Sequence, residues 1–495
     1  MSESEKESDP GTGIDSIERA MPSLPEVPVS LEKAPSDDEE QQLPPPQDDF
    51  KEGGFGWVVI IAVAVLNAHT WGLNSSYAVF LAHYLKNNTF AATPLGYAFV
   101  GGLSISIALA ASPLATFLAG WSRYGTRWAI FTGIVFEVIG FIGSSFASEL
   151  WHLALSQGVS FGIGLGLTFV PSAAVPPQWF KRRRSFASAV TAAGSGFGGL
   201  IYSLATNAMI ERFGLAWTFR ALAIICFVVN SVATYFIRDR NKAVGSVTTA
   251  FNLVLFKRAP FVLFQLFLIF SIIGYIILVF SIVAYCQSVG LSAVQASLVG
   301  ALFNLGQGIG RPIIGISSDY VGRFNVAMLS TLWCGILCLF VWTFGARSFG
   351  ACIIFGLLSG SVAGTMWASF GPICAEVVGL PLLPSALSMT WIVLVLPATF
   401  AEPIALSLRK SGVYEYIDVQ LFTGFLYIGA FLFGWILRAW KVWEMEQTHL
   451  RKEEEERMRD SEGQASGRLH RTASRASTVK EKILHLKGLW AIQRV

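Results

Sequence analysis

Three polar side chains in one long apolar stretch have the residue types and the spacing of a solute-binding site. Asn304, Gln307 and Arg311 lie three and four residues apart, so a helix presents them on one face. A guanidinium offers a fork of donors that fits a carboxylate, and a charge deep in an apolar segment is costly unless it faces water or a partner. We predict that Arg311 contacts a solute or a gate, with an ion pair that locks two helices as the alternative.

Two further groups of side chains belong to the same hypothesis. Asn74, Ser75 and Tyr77 give the first apolar segment a polar face that could line a cavity. The candidate proton carriers are titratable side chains inside apolar segments, and their alternative roles are static networks or packing: Glu137, Glu402 and His69.

The elements that must position these residues follow from composition. Of 495 residues 53% are hydrophobic and 14% are charged, and the mean hydropathy is +0.54. Soluble proteins carry about 25% charged residues, so a water-soluble fold is excluded. We predict an all-α membrane protein whose twelve transmembrane helices lie at about 56–82, 95–118, 128–147, 151–174, 186–209, 217–237, 260–286, 293–316, 325–344, 349–370, 384–407 and 419–440.

Several kinds of chemistry are not expected. The six cysteines lie in or beside apolar runs without a complete zinc ligand set, so we expect no metal. The GSGFGG run at 194–199 matches a dinucleotide-binding pattern but lies inside an apolar helix, where close helix packing explains it. There is no phosphate-binding GxxxxGK[ST] loop. We predict no cofactor, no enzyme activity, no ATP-driven pumping and no nucleic-acid partner.

Charge and repeats predict the organisation. Residues 1–52 form an acidic tail expected to be disordered, 53–237 and 260–440 form two six-helix bundles, 238–259 joins them, and 441–495 is a charged tail. Gly158, Gly162 and Gly166 recur as glycines at 356, 360 and 364, which indicates related halves. Two such halves with a solute between them are typical of transporters.

Orientation follows from the loops. The even-to-odd loops hold twelve Lys/Arg against six in the odd-to-even loops, which predicts that both termini are cytoplasmic. Asn87 then begins a glycosylation sequon on the outer side, close to the membrane. We expect the plasma membrane, with a vacuolar or other organelle membrane as the alternative.

Five short segments resemble the monocarboxylate porter family of the major facilitator superfamily, and the acidic, Pro-rich first tail is similar to that of fungal members. These segments are EGGFGW at 52–57, RYGTR at 123–127, WFKRR at 179–183, GRP at 310–312 and DYVGR at 319–323. The resemblance implies the twelve-helix fold and a transport role. Proton-coupled members carry Lys where Ser75 stands and Asp where Gln307 stands, so only Arg311 of that charged trio is present.

The turns in two of these segments are candidate gates. Arg123 and Arg127 in the first half, and Asp319 and Arg323 in the second, could bridge helix ends when the inner side is closed. Membrane anchoring by positive charge is the alternative.

Together these features predict a carrier that works by alternating access, functional as a monomer in the lipid bilayer. Its partner is a small organic solute, an organic acid or another metabolite, with or without protons. Export of a fungal secondary metabolite is one alternative, and a non-transporting membrane sensor is another.

Overall fold

The computed structural model describes residues 52–87, 89–90, 92–121, 125–410 and 415–464, and within these ranges the chain is helical, without strands. The long helical segments are α1 (Phe55–Tyr84), α2 (Pro94–Ala110 and Ser112–Trp121), α3 (Thr126–Ser145), α4 (Leu150–Trp179), α5 (Arg184–Phe213), α6 (Leu215–Phe236), α7 (Ala259–Ser288), α8 (Ala293–Val321), α9 (Arg323–Gly345), α10 (Phe349–Val378), α11 (Leu383–Ser407) and α12 (Ile417–Gln464).

Each predicted apolar segment falls on one of these helices. Within the described residues nine helices are long and apolar enough to cross a membrane on their own, and α2, which bends by 41°, makes ten. The remaining two, α5 and α8, are 30 and 29 residues long but more polar. Their polarity has a structural reason, because one face of each helix lines a cavity.

Helices α5 and α8 pack against each other where the first six helices meet the last six. A methyl group added at Gly196 of α5 would lie 2.6 Å from the backbone nitrogen of Gly308 on α8, so only glycine allows this approach. Gly194 and Gly198 approach the backbone of α1 in the same way. The GSGFGG run thus packs helices together, as predicted.

Helix α1 is interrupted beside the cavity. Its helical turns break at Thr70 and again at Ser76, on either side of Asn74 and Ser75. The Thr70 hydroxyl donates to the carbonyl of Leu66 at 2.9 Å, and the Ser76 hydroxyl donates to that of Leu73 at 2.6 Å. Irregular backbone at membrane depth is tolerated where side chains satisfy it and where it lines a cavity.

The connection between α6 and α7 covers the start of α11. The Ser385 hydroxyl donates to the carbonyl of Val247 at 2.8 Å and accepts from the amide of Thr249 at 3.0 Å, and Ser388 donates to the carbonyl of Ala250 at 2.9 Å. The predicted linker at 238–259 falls between Phe236, where α6 ends, and Ala259, where α7 begins.

Of the two predicted tails, the structure describes mainly the first part of the second one. Residues 1–51 lie outside the described residues, and so do 465–495. Residues 441–464 continue α12 as one helix, well past the predicted end of the apolar run at 440. Good helix formers and the ion pair of Lys441 with Glu444 support this extension in water.

Candidate solute-binding cavity and gate

A cavity of about 1210 Å³ lies between the two halves. It opens beside the ends of α1, α5 and α7 and the start of α8, a side called here the mouth, where Asn87 and Val294 are exposed. Its lining extends inward to Arg311 and Phe370. The volume exceeds the 300–1,000 Å³ range typical of sites for drug-sized ligands.

Arg311 is the buried cation of this cavity, with only 2% of its surface exposed. Its Nη1 donates to the carbonyl oxygen of Ala192 and to the hydroxyl of Ser195, each at 2.6 Å. Its Nη2 donates to the amide oxygen of Gln307, and its Nε has no partner. Among the described residues no carboxylate lies within ion-pair distance of Arg311, so its charge is solvated only by neutral groups.

Gln307 lies behind the cavity wall and connects three side chains. Besides binding Arg311, its amide oxygen accepts from the hydroxyl of Tyr275 at 2.9 Å. Its Nε2 donates to the side-chain oxygen of Asn304 at 3.2 Å. Asn304 and Tyr275 line the cavity, whereas Gln307 itself is not among the lining residues. The predicted polar stripe on α8 therefore exists, with its middle member in a supporting position.

The polar face of α1 reaches the same cavity, because Asn74, Ser75 and Tyr77 all line it. The Asn74 side-chain oxygen accepts from the hydroxyl of Ser104 on α2 at 3.0 Å. The Tyr77 hydroxyl donates to the backbone carbonyl of Tyr97. These bonds attach the interrupted part of α1 to α2.

The inner part of the cavity is aromatic on both sides. Trp71 and Phe169 of the first half and Trp367 and Phe370 of the second line it, and the rings of Trp71 and Trp367 are 5.5 Å apart. Trp391 is fully buried and stacks behind Trp367 at 5.7 Å. It supports the lining without belonging to it.

The side opposite the mouth, called here the closed side, is sealed where α8 ends against the start of α5. The Asp319 carboxylate accepts from the backbone amides of Ser185 at 3.0 Å and Phe186 at 2.9 Å. These amides belong to the first turn of a helix, whose donors have no partner within the helix, and a negative charge is favoured there. Asp319 of one half therefore caps a helix of the other half.

Charged side chains surround this cap. Arg323 binds the carboxylate of Glu376 and donates to the backbone carbonyl of Lys181 at 2.7 Å. Glu376 also lies 3.6 Å from Arg184 of the first half and 3.8 Å from Lys441. Glu376 was not predictable from the sequence, because an acidic residue at a helix end has no motif of its own and its three cations come from distant segments.

The predicted gate turn of the first half makes its contacts within that half, unlike the turn at Asp319 and Arg323. Arg127 donates to the backbone carbonyls of Ile237 at 2.6 Å and Tyr235 at 2.8 Å, which ties α3 to the end of α6 within the same half. Arg123, the other predicted gate residue in this turn, lies outside the described residues.

Comparisons with known proteins identify the family. The model of the Major Facilitator Superfamily matches residues 58–294. The probable transporter MCH2 of Saccharomyces cerevisiae is 35% identical over 400 residues, which cover 79% of this chain and 84% of that one. The chain belongs to the major facilitator superfamily.

Other members are similar at greater distance. The Fujikurins efflux protein of Gibberella fujikuroi is 26% identical over 380 residues, covering 75% of this chain and 80% of that one. The structure of FucP has a TM-score of 0.62 at 12% identity and covers 78% of this chain and 99% of that one. The structure of the proton:xylose symporter XylE has a TM-score of 0.59 at 16% identity and covers 77% of this chain and 95% of that one.

This major facilitator protein is therefore a transporter with the predicted all-helical fold, and not an enzyme. It moves a small solute across a membrane by alternating access, in which the two halves rock about a central site. A cavity open at the mouth and capped at the closed side corresponds to one of the two end states of that cycle.

The three candidate proton carriers of the transporter are not among the residues that line its cavity. Glu137 is fully buried inside the first half and accepts hydrogen bonds from Thr168, Cys226 and Asn230 at 3.0–3.2 Å. Glu402 is half-buried near the end of α11.

His69, the third candidate, binds within its own helix. Its Nδ1 lies 2.9 Å from the carbonyl oxygen of Val65, and its ring meets that of Tyr202 edge-on at 5.5 Å. The predicted glycosylation site Asn87 contacts His83 at the mouth, and a glycan there would stand beside the opening.

Proposed function

We propose that this transporter carries small organic anions and that Arg311 is the group that binds their negative charge. The supporting observation is the guanidinium itself, which is buried in the cavity wall with neutral partners and one unused N–H donor. A carboxylate that reached it would complete its hydrogen bonds and neutralise its charge. Charged hydrogen bonds of this kind contribute about 1.5–3 kcal/mol each.

The same residues suggest how the cycle proceeds. Asn304, Asn74, Ser75 and Tyr77 contact the solute from α8 and α1, and Gln307 orients the guanidinium. Asp319 and Arg323 hold the closed side shut while the solute binds from the mouth. The solute then favours release of this gate, and the bundles 53–237 and 260–440 rock about the linker 238–259.

Membrane, orientation and subfamily are parts of the same proposal. Both termini face the cytoplasm, because the loops on the closed side carry most of the Lys and Arg residues, so the mouth faces the opposite compartment. The membrane is the plasma membrane, and the carrier functions as a monomer. The motifs at 52–57 and 310–312 support membership of the monocarboxylate porter branch.

Export of a fungal metabolite is the second candidate function. One relative is named as an efflux protein for fujikurins, and the cavity of about 1210 Å³ exceeds the volume typical of sites for drug-sized ligands. Import and export use the same cavity, so the choice between them depends on which face releases the solute in cells.

The experiment is exchange of labelled 4-hydroxybenzoate and labelled lactate across liposomes that contain the purified full chain, with protein-free liposomes measuring leak. Arg311→Gln should lower exchange at least about tenfold, and Arg311→Lys should retain an intermediate rate. Arg220→Gln is the matched control, since Arg220 packs on the rings of Phe146 and Trp217 and does not line the cavity. Wild-type exchange by a correctly inserted Arg311→Gln protein would overturn the proposal.

A further inference from the structure

The aromatic part of the cavity contains unused hydrogen-bond donors. The indole N–H groups of Trp71 and Trp367 are buried and have no partner. Two other buried indoles share this property, Trp342 and Trp391, but neither lines the cavity. A buried donor without a partner is unfavourable, so an oxygen atom placed against Trp71 and Trp367 by a solute would be stabilising.

The neighbouring polar lining has further unused atoms. Asn67 is 5% exposed, and its Nδ2 donates to the carbonyl of Thr191 at 2.9 Å, which fixes the amide, while its Oδ1 has no partner. The Nε of Arg311 is also unpartnered. Residues that line the cavity thus hold unpartnered donors at the cation and at two indoles, and one unpartnered acceptor.

The cation of α8 and the aromatic rings meet at helix α10. A methyl group at Gly364 would lie 2.9 Å from the Nε of Arg311, and the backbone amide of Trp367 donates to the carbonyl of Gly364 at 3.0 Å. Tyr275 connects the two regions a second time, because its hydroxyl binds Gln307 at 2.9 Å and its ring meets Trp367 edge-on at 6.0 Å.

The aromatic rings are held in place from behind. Trp391 is fully buried and stacks on Trp367 with an angle of 17° between the ring planes. Phe169 meets Trp71 edge-on at 5.4 Å. A flat solute ring can therefore pack on preorganised rings, which adds to the stabilisation from the burial of apolar area.

From these positions we infer that the cavity selects oxygenated aromatic carboxylates over aliphatic carboxylates of the same size. The carboxylate binds Arg311, the ring packs against Trp71 and Trp367, and ring oxygens accept from the indole N–H groups. A hydroxyl substituent can donate to the free oxygen of Asn67. This inference rests on the proposed function, since it concerns the same cavity and the same cation.

The test compares two solutes that differ in the ring alone, 4-hydroxybenzoate and trans-4-hydroxycyclohexanecarboxylate. Binding of each to the purified full chain in lipid nanodiscs is measured by calorimetry. Wild type should prefer the aromatic acid about fivefold or more. Trp367→Leu should remove this preference while still binding the aliphatic acid, and Trp367→Phe should restore it in part. Trp333→Leu is the matched control, because Trp333 is 49% exposed on α9 and does not line the cavity.

The outcomes separate the two proposals. Equal affinity of wild type for the two acids, or an unchanged preference in a folded Trp367→Leu protein, would overturn the aromatic selectivity and leave anion transport in place. Binding of both acids that survives Arg311→Gln would instead overturn the anion-binding role of Arg311. If wild type bound neither acid, both proposals would fail together.

Discussion

Gly364 faces the guanidinium of Arg311 so closely that a methyl group on its α-carbon would lie 2.8 Å from Nη2 and 2.9 Å from Nε. The same methyl group would lie 3.1 Å from the amide oxygen of Gln307. The buried cation can occupy this position only because residue 364 has no side chain. Helix α10 also breaks at this residue. Gly364 is a positioning residue for Arg311.

Gly364→Ala should displace the guanidinium and weaken its bonds to Ala192 and Ser195. We expect the affinity for 4-hydroxybenzoate, measured by calorimetry on the purified chain, to fall about tenfold, because two charged hydrogen bonds are distorted. Gly102→Ala on α2 is the control, since no heavy atom lies within 4 Å of the added methyl group. Full affinity in Gly364→Ala would show that the cation is not held against α10.

Asp319→Asn should weaken the seal on the closed side. The variant loses the negative charge at the start of α5, which we expect to shift the ratio of open to closed gates by about 1–2 kcal/mol, or five- to thirtyfold. Spin labels on the exposed positions Arg183 and Tyr320 would report the change as a longer distance between them.

Asp418→Asn serves as the control for this experiment, because Asp418 pairs with Lys410 at the start of α12, on the mouth side. An unchanged distance distribution in Asp319→Asn would mean that the cap does not contribute to closure.

A cysteine in place of Asn304 should react with a membrane-impermeant thiol reagent added from the mouth side. Asn304 lines the cavity. Ile309 on the same helix is 50% exposed on the outer surface of the bundle, so the control variant Ile309→Cys should stay unreactive in lipid. The six native cysteines are buried, so background labelling should be low. Labelling of Asn304→Cys from the cytoplasmic side alone would reverse the proposed orientation.

Glu137→Gln tests whether this carboxyl carries protons. The amide keeps the size of the side chain, and the carboxyl of Glu137 bonds inside the first half rather than to the cavity. We therefore expect exchange of 4-hydroxybenzoate and its response to an imposed pH gradient to stay as in wild type. Loss of the pH response with exchange retained would assign proton transfer to Glu137. Glu137→Ala, which leaves a cavity, should instead lower the unfolding temperature.

The fold was predictable because the bilayer imposes one rule on every segment. An apolar stretch long enough to cross must be helical, and each predicted stretch falls on a helix of the structure. The polar residues on α8 and α1 were predictable for the same reason, since Arg311 and Asn74 have no place in lipid. The end of α12 was not, because its extension to Gln464 depends on helix propensity and an ion pair in water.

The rest of the site depends on contacts between helices that are distant in sequence. The acceptor for Arg311 at Ala192 is a backbone carbonyl, which every residue possesses. Gly364 and Glu376 acquire their roles only once α10 lies against α8 and α5. Tyr275 was missed because a tyrosine in an apolar helix is common, and its bond to Gln307 requires the register of α7 against α8.

The most direct test of the account is whether Arg311 recognises negative charge. Binding of 4-hydroxybenzoate and of its neutral analogue 4-hydroxybenzamide should be measured by calorimetry on wild type and on Arg311→Gln in nanodiscs. We predict that wild type prefers the anion about tenfold or more and that Arg311→Gln binds the two about equally. An undiminished preference for the anion in Arg311→Gln would contradict the central claim.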